Sequence, residues 1–323
     1  MTTTKVKQSD LNNADFGVEI QNDLEYLINL GISSGADLVE IFLEKTNNIS
    51  LLAEQDRITS VNPSFSKGAG IRVFLNDRDG FVSTNNITKQ GINKALEDAL
   101  AMLGLDIKAL NSSFFNGLNQ YQDFGRNKGE WLEKCPNLED ASNKLLKATD
   151  KLTNREKFID IRRGSYSRSW QEVIVACSDG TFARDIRLHQ STGLNILASD
   201  GNYRASIGRR YGSYGNPNDL VNWDSEESAN EICQSAGRML YADYVEAGQM
   251  PVVLANKFGG VIFHEACGHL LETTQIERGT SPFSDKLNKK IANEAVTAID
   301  EGITKGAFGT ISMDDEGMEP QKT

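Results

Sequence analysis

Apolar residues recur at helical spacing in four segments of this 323-residue chain. In the first segment, Ile20, Leu24, Leu27 and Ile28 lie on one face of a short helix that ends near Gly31. In "TKQGINKALEDALAML" (88–103), the same spacing is shown by Ile92, Leu96, Ala99, Leu100 and Leu103. The pattern predicts helices over 20–31, 88–103, 137–153 and 225–242.

Between these helices, β-branched and aromatic residues alternate with polar ones. "ADLVEIFLEK" (36–45), "ISLLAEQDRITSV" (49–61) and "GAGIRVFLNDRDGFVST" (68–84) predict strands, with a turn at Arg78–Gly80. Residues 157–211 predict an antiparallel meander with turns at the two Ser-Asp-Gly triplets, 178–180 and 199–201. Strands and helices come in blocks without strict alternation, which favours an α+β fold over a doubly wound parallel sheet.

Composition shifts divide the chain further. Residues 104–136 are polar and rich in Asn and Gly, as in a connector, and Pro251 with the apolar run after it begins a new segment. We therefore predict an N-terminal α+β domain over 14–105, a middle α+β domain with the antiparallel meander over 106–248, and a partial third domain over 249–323.

Charge and cysteine content narrow the class of protein. A formal net charge of −11 argues against nucleic-acid binding through a basic face. No apolar stretch resembles a signal peptide or reaches the length of a membrane span. We therefore expect a cytoplasmic protein without nucleic-acid or membrane partners, whose four widely spaced cysteines are free thiols.

The segment "GGVIFHEACGHLLE" (259–272) carries the candidate chemistry, because Glu265 follows His264 directly and His269 lies five residues after His264. Zinc hydrolases need imidazoles that hold the ion and a carboxylate that takes a proton from water. In the H-E-x-x-H pattern the histidines are four apart, or about 40° around a helix, whereas a five-residue spacing gives about 140°. Two rings so placed would not easily meet one ion on a regular helix.

A distorted helix would remove this difficulty. A π-bulge absorbs one extra residue, and a bend at Gly268 would let His269 swing back. Ala266, Cys267 and Gly268 are small enough for either. A histidine on an apolar helix is more often a buried structural residue. However, two of the chain's three histidines bracket a glutamate here, and burying that glutamate unpaired would be costly. We therefore favour a metal site, and predict a distorted helix over 261–272.

A third metal ligand has several imperfect candidates. Cys267 is three residues from His264, Glu272 is three from His269, and Glu294 lies in "NEAVTAID" (293–300), similar to a segment that supplies a glutamate ligand in some zinc proteases. His189, in the predicted meander, could approach only through domain packing. The residues alone do not choose among them.

Beyond these separate features, the sequence resembles the TldD side of the TldD/PmbA family of metalloproteases. The resemblance rests on "PVVLANKFGGVIFHEACGHLLE" (251–272), "RGTSPFSDKLNKKIA" (278–292) and "DDEG" (314–317), and on the two N-terminal strand segments quoted above. It runs over roughly 14–323, and the H-E-x-x-x-H segment with its flanks is its most specific part.

The resemblance implies a zinc-dependent peptidase acting on short or unfolded peptides, in which His264 and His269 bind zinc and Glu265 activates the water. It also implies a fold of mixed α/β domains with antiparallel sheets, followed by the start of a β-rich C-terminal metalloprotease domain. The family's third ligand is a cysteine far downstream in the C-terminal domain, expected beyond residue 323 and absent from this sequence, so Cys267 and Glu294 have no ligand role by this likeness. A related TldE/PmbA-type subunit is the expected partner in a heterodimer, with a homodimer as the alternative.

This sequence departs from the family pattern at "DDEGMEPQKT" (314–323), where the family continues with further strands. We therefore expect an incomplete form with weak zinc binding and little activity alone, because a catalytic zinc needs three protein ligands. The alternative hypotheses are a non-catalytic or regulatory subunit of a protease-like complex that serves as an interaction platform, and a metal-binding protein without hydrolysis.

Overall fold

The computed structural model describes residues 20–110, 115–119, 121–125, 128, 130–153, 155–256 and 258–323. Its helices are α1 (Ile20–Ser33), α2 (Lys89–Met102), α3 (Trp131–Lys134), α4 (Leu138–Asp150), α5 (Asp219–Asn222), α6 (Ser225–Leu240), α7 (Phe258–Phe263) and α8 (Thr273–Glu277). Its strands are β1 (Leu38–Glu54), β2 (Arg57–Leu75), β3 (Arg78–Thr84), β4 (Gln122–Asp123), β5 (Ile159–Cys177), β6 (Phe182–Ser199) and β7 (Arg204–Tyr214). Within the described residues, no helix combines the length and apolar character that a membrane crossing requires.

The chain divides into two compact units. The larger unit comprises residues 1–242 and 301–323, and the smaller unit comprises residues 243–300. The three-domain division of the sequence analysis stays a prediction.

One seven-stranded sheet organises the larger unit. Its strand order is β3-β2-β1-β5-β6-β4, and β7 pairs with β6. All pairings are antiparallel except that of β4 with β6. Strand β1 pairs with β5 over Glu40–Glu54, so strands of the first two predicted domains lie in a single sheet. Together with the helices, this antiparallel sheet confirms the α+β class.

The core of the larger unit lies where α1, α2, α4 and α6 pack on one face of the sheet. Alternate β1 residues, among them Val39, Ile41 and Leu43, are fully buried against α1 and α2. Further along the sheet, Leu145 of α4 packs near Tyr166 of β5, and α6 covers β6 and β7. Burying these alternate residues removes apolar surface from water, which is the main force that stabilises such a two-layer arrangement.

The opposite face of the sheet is partly covered by the segment 301–323. Met313 is fully buried against Val173, Val175 and Ala183. Beside them, the fully buried Asp185 accepts a hydrogen bond from Lys128 Nζ at 2.6 Å, and the same Nζ lies 2.8 Å from Ser312 Oγ. Segment 301–323 is therefore anchored by the burial of Met313 and by the hydrogen bond that Ser312 accepts from Lys128, whose ammonium also pairs with Asp185.

The helix predictions are confirmed at their starts. Thr88 caps α2 by accepting a hydrogen bond from the Gly91 N–H, and Asn137 caps α4 by accepting one from the Asp140 N–H. Both meander turns are also confirmed, since Gly180 and Gly201 adopt positive φ angles of 103° and 95° between consecutive strands.

The predicted turn at Arg78–Gly80 is wrong by two residues. Asn76 adopts φ 54° and makes the turn with Asp77, while Arg78–Gly80 begin β3. Asparagine tolerates this left-handed conformation, so the turn has no need of the glycine. Gly80 instead allows a close helix approach, because a Cβ there would lie 2.5 Å from the carbonyl oxygen of Ala99 in α2.

Candidate metal centre

The helix that carries the two histidines changes its winding at the first of them. Helix α7 ends at Phe263, His264–Gly268 form one π-helical turn, and His269–Leu271 form a 3₁₀ turn. The His269 N–H donates to the carbonyl oxygen of His264, a five-residue hydrogen bond that defines the π turn. The prediction of a distorted helix is therefore confirmed.

This π turn brings the two imidazole rings together. Their centroids lie 4.3 Å apart with an interplanar angle of 64°. A five-residue spacing would separate the rings by about 140° on a regular α-helix, so the inserted residue is accommodated by the change of winding.

Gly268 makes room for the first ring. A Cβ on Gly268 would lie 2.7 Å from His264 Nδ1, closer than real Cβ contacts allow, and 3.2 Å from its Cγ. The backbone of Gly268 is helical, with φ −56° and ψ −54°, so its missing side chain and not its conformational freedom matters here. The glycine therefore leaves the space that the His264 imidazole occupies.

His264, Glu265 and His269 converge, with one potential ligand atom from each lying within 4.8 Å of the others. Glu265 Oε2 is 3.7 Å from His269 Nε2. All three side chains are exposed, so an ion can reach them without opening the fold. Two imidazoles and a carboxylate are ligands that suit zinc and other first-row transition metals, and the group therefore fits a divalent metal ion.

Glu272, one of the sequence candidates for a third ligand, contacts the Nδ1 side of the His269 ring, whereas Glu265 lies near Nε2. Glu272 Oε1 is 2.7 Å from His269 Nδ1. This hydrogen bond raises the pKa of His269, and the nearby charge of Glu265 adds to the rise. The sequence offered one indication of this contact, the three-residue spacing that lets two side chains meet on a helical turn.

The remaining ligand candidates also lie outside the group of three. Cys267 is half-buried within the π turn. Glu294 lies outside the described helices, where it forms an exposed ion pair with Lys290 at 2.8 Å. His189 belongs to β6 of the larger unit, where its ring lies 5.2 Å from that of Tyr214 and 5.3 Å from that of Phe308. Burial lowers the pKa of His189.

Comparison with known proteins relates this chain to one metallopeptidase family. Three family models match the chain: PmbA/TldA metallopeptidase domain 1 at residues 39–103, the central domain at 132–241 and the C-terminal domain at 247–323. A metalloprotease TldD homolog from Buchnera aphidicola is 25% identical over 297 residues, covering 88% of this chain and 60% of the relative. A metalloprotease from Methanocaldococcus jannaschii is 26% identical over 289 residues, covering 88% of this chain and 62% of the relative.

Solved structures share the fold. A putative modulator of DNA gyrase from Bacteroides thetaiotaomicron superposes with a TM-score of 0.74 at 16% identity, covering 96% of this chain and 70% of that one. TldE from Thermococcus kodakarensis gives 0.69 at 19% identity, covering 93% of this chain and 66% of that one.

The chain therefore spans about 60% of the length of the curated relatives it matches. Its three matched segments follow one another in the order domain 1, central domain, C-terminal domain, and the last of them contains His264, Glu265 and His269. The chain belongs to the PmbA/TldD family of metallopeptidases.

Proposed function

We propose that this chain carries the metal-binding and proton-transfer residues of a zinc-dependent peptidase that hydrolyses short or unfolded peptides. The observation that carries the proposal is the convergence of His264, Glu265 and His269 at one π turn. The metalloprotease names of its relatives support the reaction class.

In this proposal His264 and His269 hold the zinc ion through neutral imidazole nitrogens. Bound zinc would supply Lewis acidity, polarising the scissile carbonyl and lowering the pKa of water. The exposure of both rings leaves space on the solvent side for an extended peptide.

Glu265 is the proposed general base. Its carboxylate is exposed and lies beside the two imidazoles, with Oε2 3.7 Å from His269 Nε2. It accepts a proton from the attacking water as the new C–O bond forms. It then donates that proton to the amine nitrogen as the C–N bond breaks, so the carboxylate is regenerated in each turnover.

A single substitution tests this role. Glu265→Gln keeps the shape of the side chain and removes its basicity, so we expect zinc to be retained and peptide cleavage to fall at least about 100-fold. Zinc content would be measured by mass spectrometry and cleavage with a fluorogenic peptide, on a chain extended to the length of its relatives and mixed with a related PmbA-type subunit. Glu294→Gln, a change of the same chemistry at an exposed ion pair, is the control. Turnover that survives Glu265→Gln, or a wild-type assembly without zinc, would show the proposal to be wrong.

A regulatory metal-binding role is the second candidate, favoured by one observation. Glu265 offers a carboxylate oxygen within 4.8 Å of both imidazoles, so it could itself be a third ligand. In that case Glu265→Gln would weaken zinc binding strongly, whereas a general base can be exchanged with the zinc retained. The same zinc measurement therefore separates the two functions.

The proposed partner is a related TldE/PmbA-type subunit in a heterodimer, with a homodimer as the alternative. The shared fold of TldE from Thermococcus kodakarensis supports this pairing. Light scattering of the chain alone and mixed with such a subunit would distinguish the two assemblies. The cytoplasmic location stays a prediction of the sequence.

A further inference from the structure

We infer that Glu272 is a positioning residue that fixes the tautomer and orientation of the His269 imidazole, so that Nε2 presents its lone pair to the metal position. The inference rests on the proposed zinc site and adds a residue that touches neither the ion nor the substrate. It follows from the contacts of the two nitrogens of His269.

The Nδ1 side of the ring is occupied by Glu272. Its Oε1 lies 2.7 Å from Nδ1, within normal hydrogen-bond range. An ionised carboxylate can only accept a hydrogen bond, so Nδ1 must carry the proton. The neutral imidazole then has its lone pair on Nε2.

The Nε2 side of the ring faces the group of three. Glu265 Oε2 is 3.7 Å from Nε2, which is too long for a hydrogen bond, so that carboxylate does not hold a proton on Nε2. The His264 ring centroid is 4.3 Å from that of His269. The two glutamates therefore contact different nitrogens of one ring. Glu272 accepts a hydrogen bond from Nδ1–H, and Glu265 lies beside Nε2, which is free to bind a metal.

The backbone holds Glu272 in place. Its carbonyl oxygen accepts hydrogen bonds from the N–H groups of Gln275 and Ile276, at 3.0 and 3.1 Å, which ties it to the start of α8. On the other side of the 3₁₀ turn, the buried Ser281 donates to the carbonyl oxygen of Leu270 at 2.6 Å. The side chain of Glu272 makes no capping hydrogen bond to α8, so replacing it leaves that helix its backbone contacts.

The expected effect lies in metal affinity and not in folding stability. Both side chains of the pair are about half exposed, and pairs of this kind contribute little to stability in water. A partner that orients a metal-binding histidine, by contrast, commonly changes metal affinity by about 10- to 100-fold. We therefore expect Glu272 to raise metal affinity and to contribute little to folding stability.

The test combines a tautomer measurement with a metal titration of the full chain. Long-range ¹⁵N–¹H correlation spectra of the metal-free protein report which His269 nitrogen carries the proton. We expect Nδ1–H in the wild type and a shift towards Nε2–H in Glu272→Ala. Zinc titration should show affinity about 10- to 100-fold weaker in Glu272→Ala. Glu272→Gln, which keeps a neutral acceptor, should lose less.

Glu294→Ala is the matched control, since it removes one exposed carboxylate of the same unit and leaves His269 untouched. It should bind zinc as the wild type does. An unchanged tautomer in Glu272→Ala, or a zinc affinity within twofold of the wild type, would overturn the inference while the proposed function stands. A wild-type chain that binds no zinc would refute the proposed function, and the tautomer spectra would still decide the role of Glu272.

Discussion

Burial of apolar side chains stabilises the larger unit of this chain, and the smaller unit has little of it. In the larger unit, long side chains such as Leu24, Leu27 and Leu96 are completely buried between sheet and helices. In the smaller unit, the one buried residue among those the structure describes is Ser281. The candidate metal centre lies in the second kind of environment. The geometry of the metal centre therefore depends on a local change of helical winding and a few hydrogen bonds. The fold of the larger unit depends on the close packing of buried apolar side chains.

This contrast predicts that the same type of substitution has unlike consequences in the two units. The largest expected difference concerns ion pairs. Asp185 is fully buried, and Lys128 Nζ and Arg187 Nε lie 2.6 and 3.8 Å from its carboxylate oxygens. Asp185→Ala removes the carboxylate that pairs with these two cations in the interior, and it should lower the unfolding free energy by about 3–5 kcal/mol.

The matched change in the smaller unit is Glu294→Ala, at a pair whose glutamate side chain is 89% exposed. It should cost about 0–1 kcal/mol. Urea denaturation followed by circular dichroism measures both, and equal losses would remove the distinction between the units.

Leucine truncation gives the next largest difference. Leu96→Ala in the fully buried core should lower the unfolding free energy by about 2–5 kcal/mol, because it removes buried methyl groups and leaves a cavity. Leu271→Ala, at a side chain that is 51% exposed, should stay within about 0.5 kcal/mol of the wild type. A large loss for Leu271→Ala in the same denaturation assay would mean that the smaller unit has a core of its own.

A glycine substitution in the smaller unit should change zinc affinity and leave stability nearly unchanged. Gly268→Ala should push the His264 ring off its position, and an off-rotamer side chain costs about 0.5–1.5 kcal/mol. Zinc affinity should therefore fall about two- to tenfold, with unfolding free energy unchanged or slightly raised. Gly260→Ala in α7 is the control, because an added Cβ there meets no atom within 4 Å. Equal zinc affinities in the two variants would mean that Gly268 does not position His264.

The smallest effect concerns the titration of two histidines. Burial lowers the pKa of His189 below its ordinary 6.5, and the Glu272 hydrogen bond raises that of His269 above 6.5. Proton NMR of the metal-free chain across pH should therefore show midpoints on opposite sides of this value. Glu272→Gln should lower the His269 midpoint and leave that of His189 unchanged. Midpoints on the same side would contradict the environments described.

The lowered pKa of His189 also makes the stability of the fold depend on pH. Just below pH 6.5 the unfolded chain binds more protons at His189 than the folded chain does, since the folded pKa is the lower one. The contribution of His189 to stability is thus complete above pH 6.5 and declines as pH falls towards its folded pKa. His189→Gln should flatten this part of the stability profile.

Local features of the sequence predicted local structure well. The five-residue spacing of His264 and His269 predicted a distorted helix, and the π turn is its physical solution. The helical spacing of apolar residues after Thr88 predicted α2, and Thr88 is its N-cap in the structure. The turn at Asn76 was misplaced, since Gly80 is required by the approach of α2 and not by the hairpin.

Long-range features could not be predicted in this way. The pairing of β1 with β5 joins residues more than 100 positions apart, and alternation along one strand does not name its neighbour. Likewise the sequence offered Glu272 as a ligand, because spacing brings it near His269 without saying which ring nitrogen it meets.

The central claim, that the two histidines of the π turn hold one metal ion, is tested most directly by zinc titration of histidine variants. The wild-type chain should bind one zinc ion saturably, and His264→Ala and His269→Ala should each abolish that binding. His189→Gln, which changes the third histidine of the chain, should bind as the wild type does. Zinc binding that survives both alanine substitutions, or that is lost only with His189, would contradict the account.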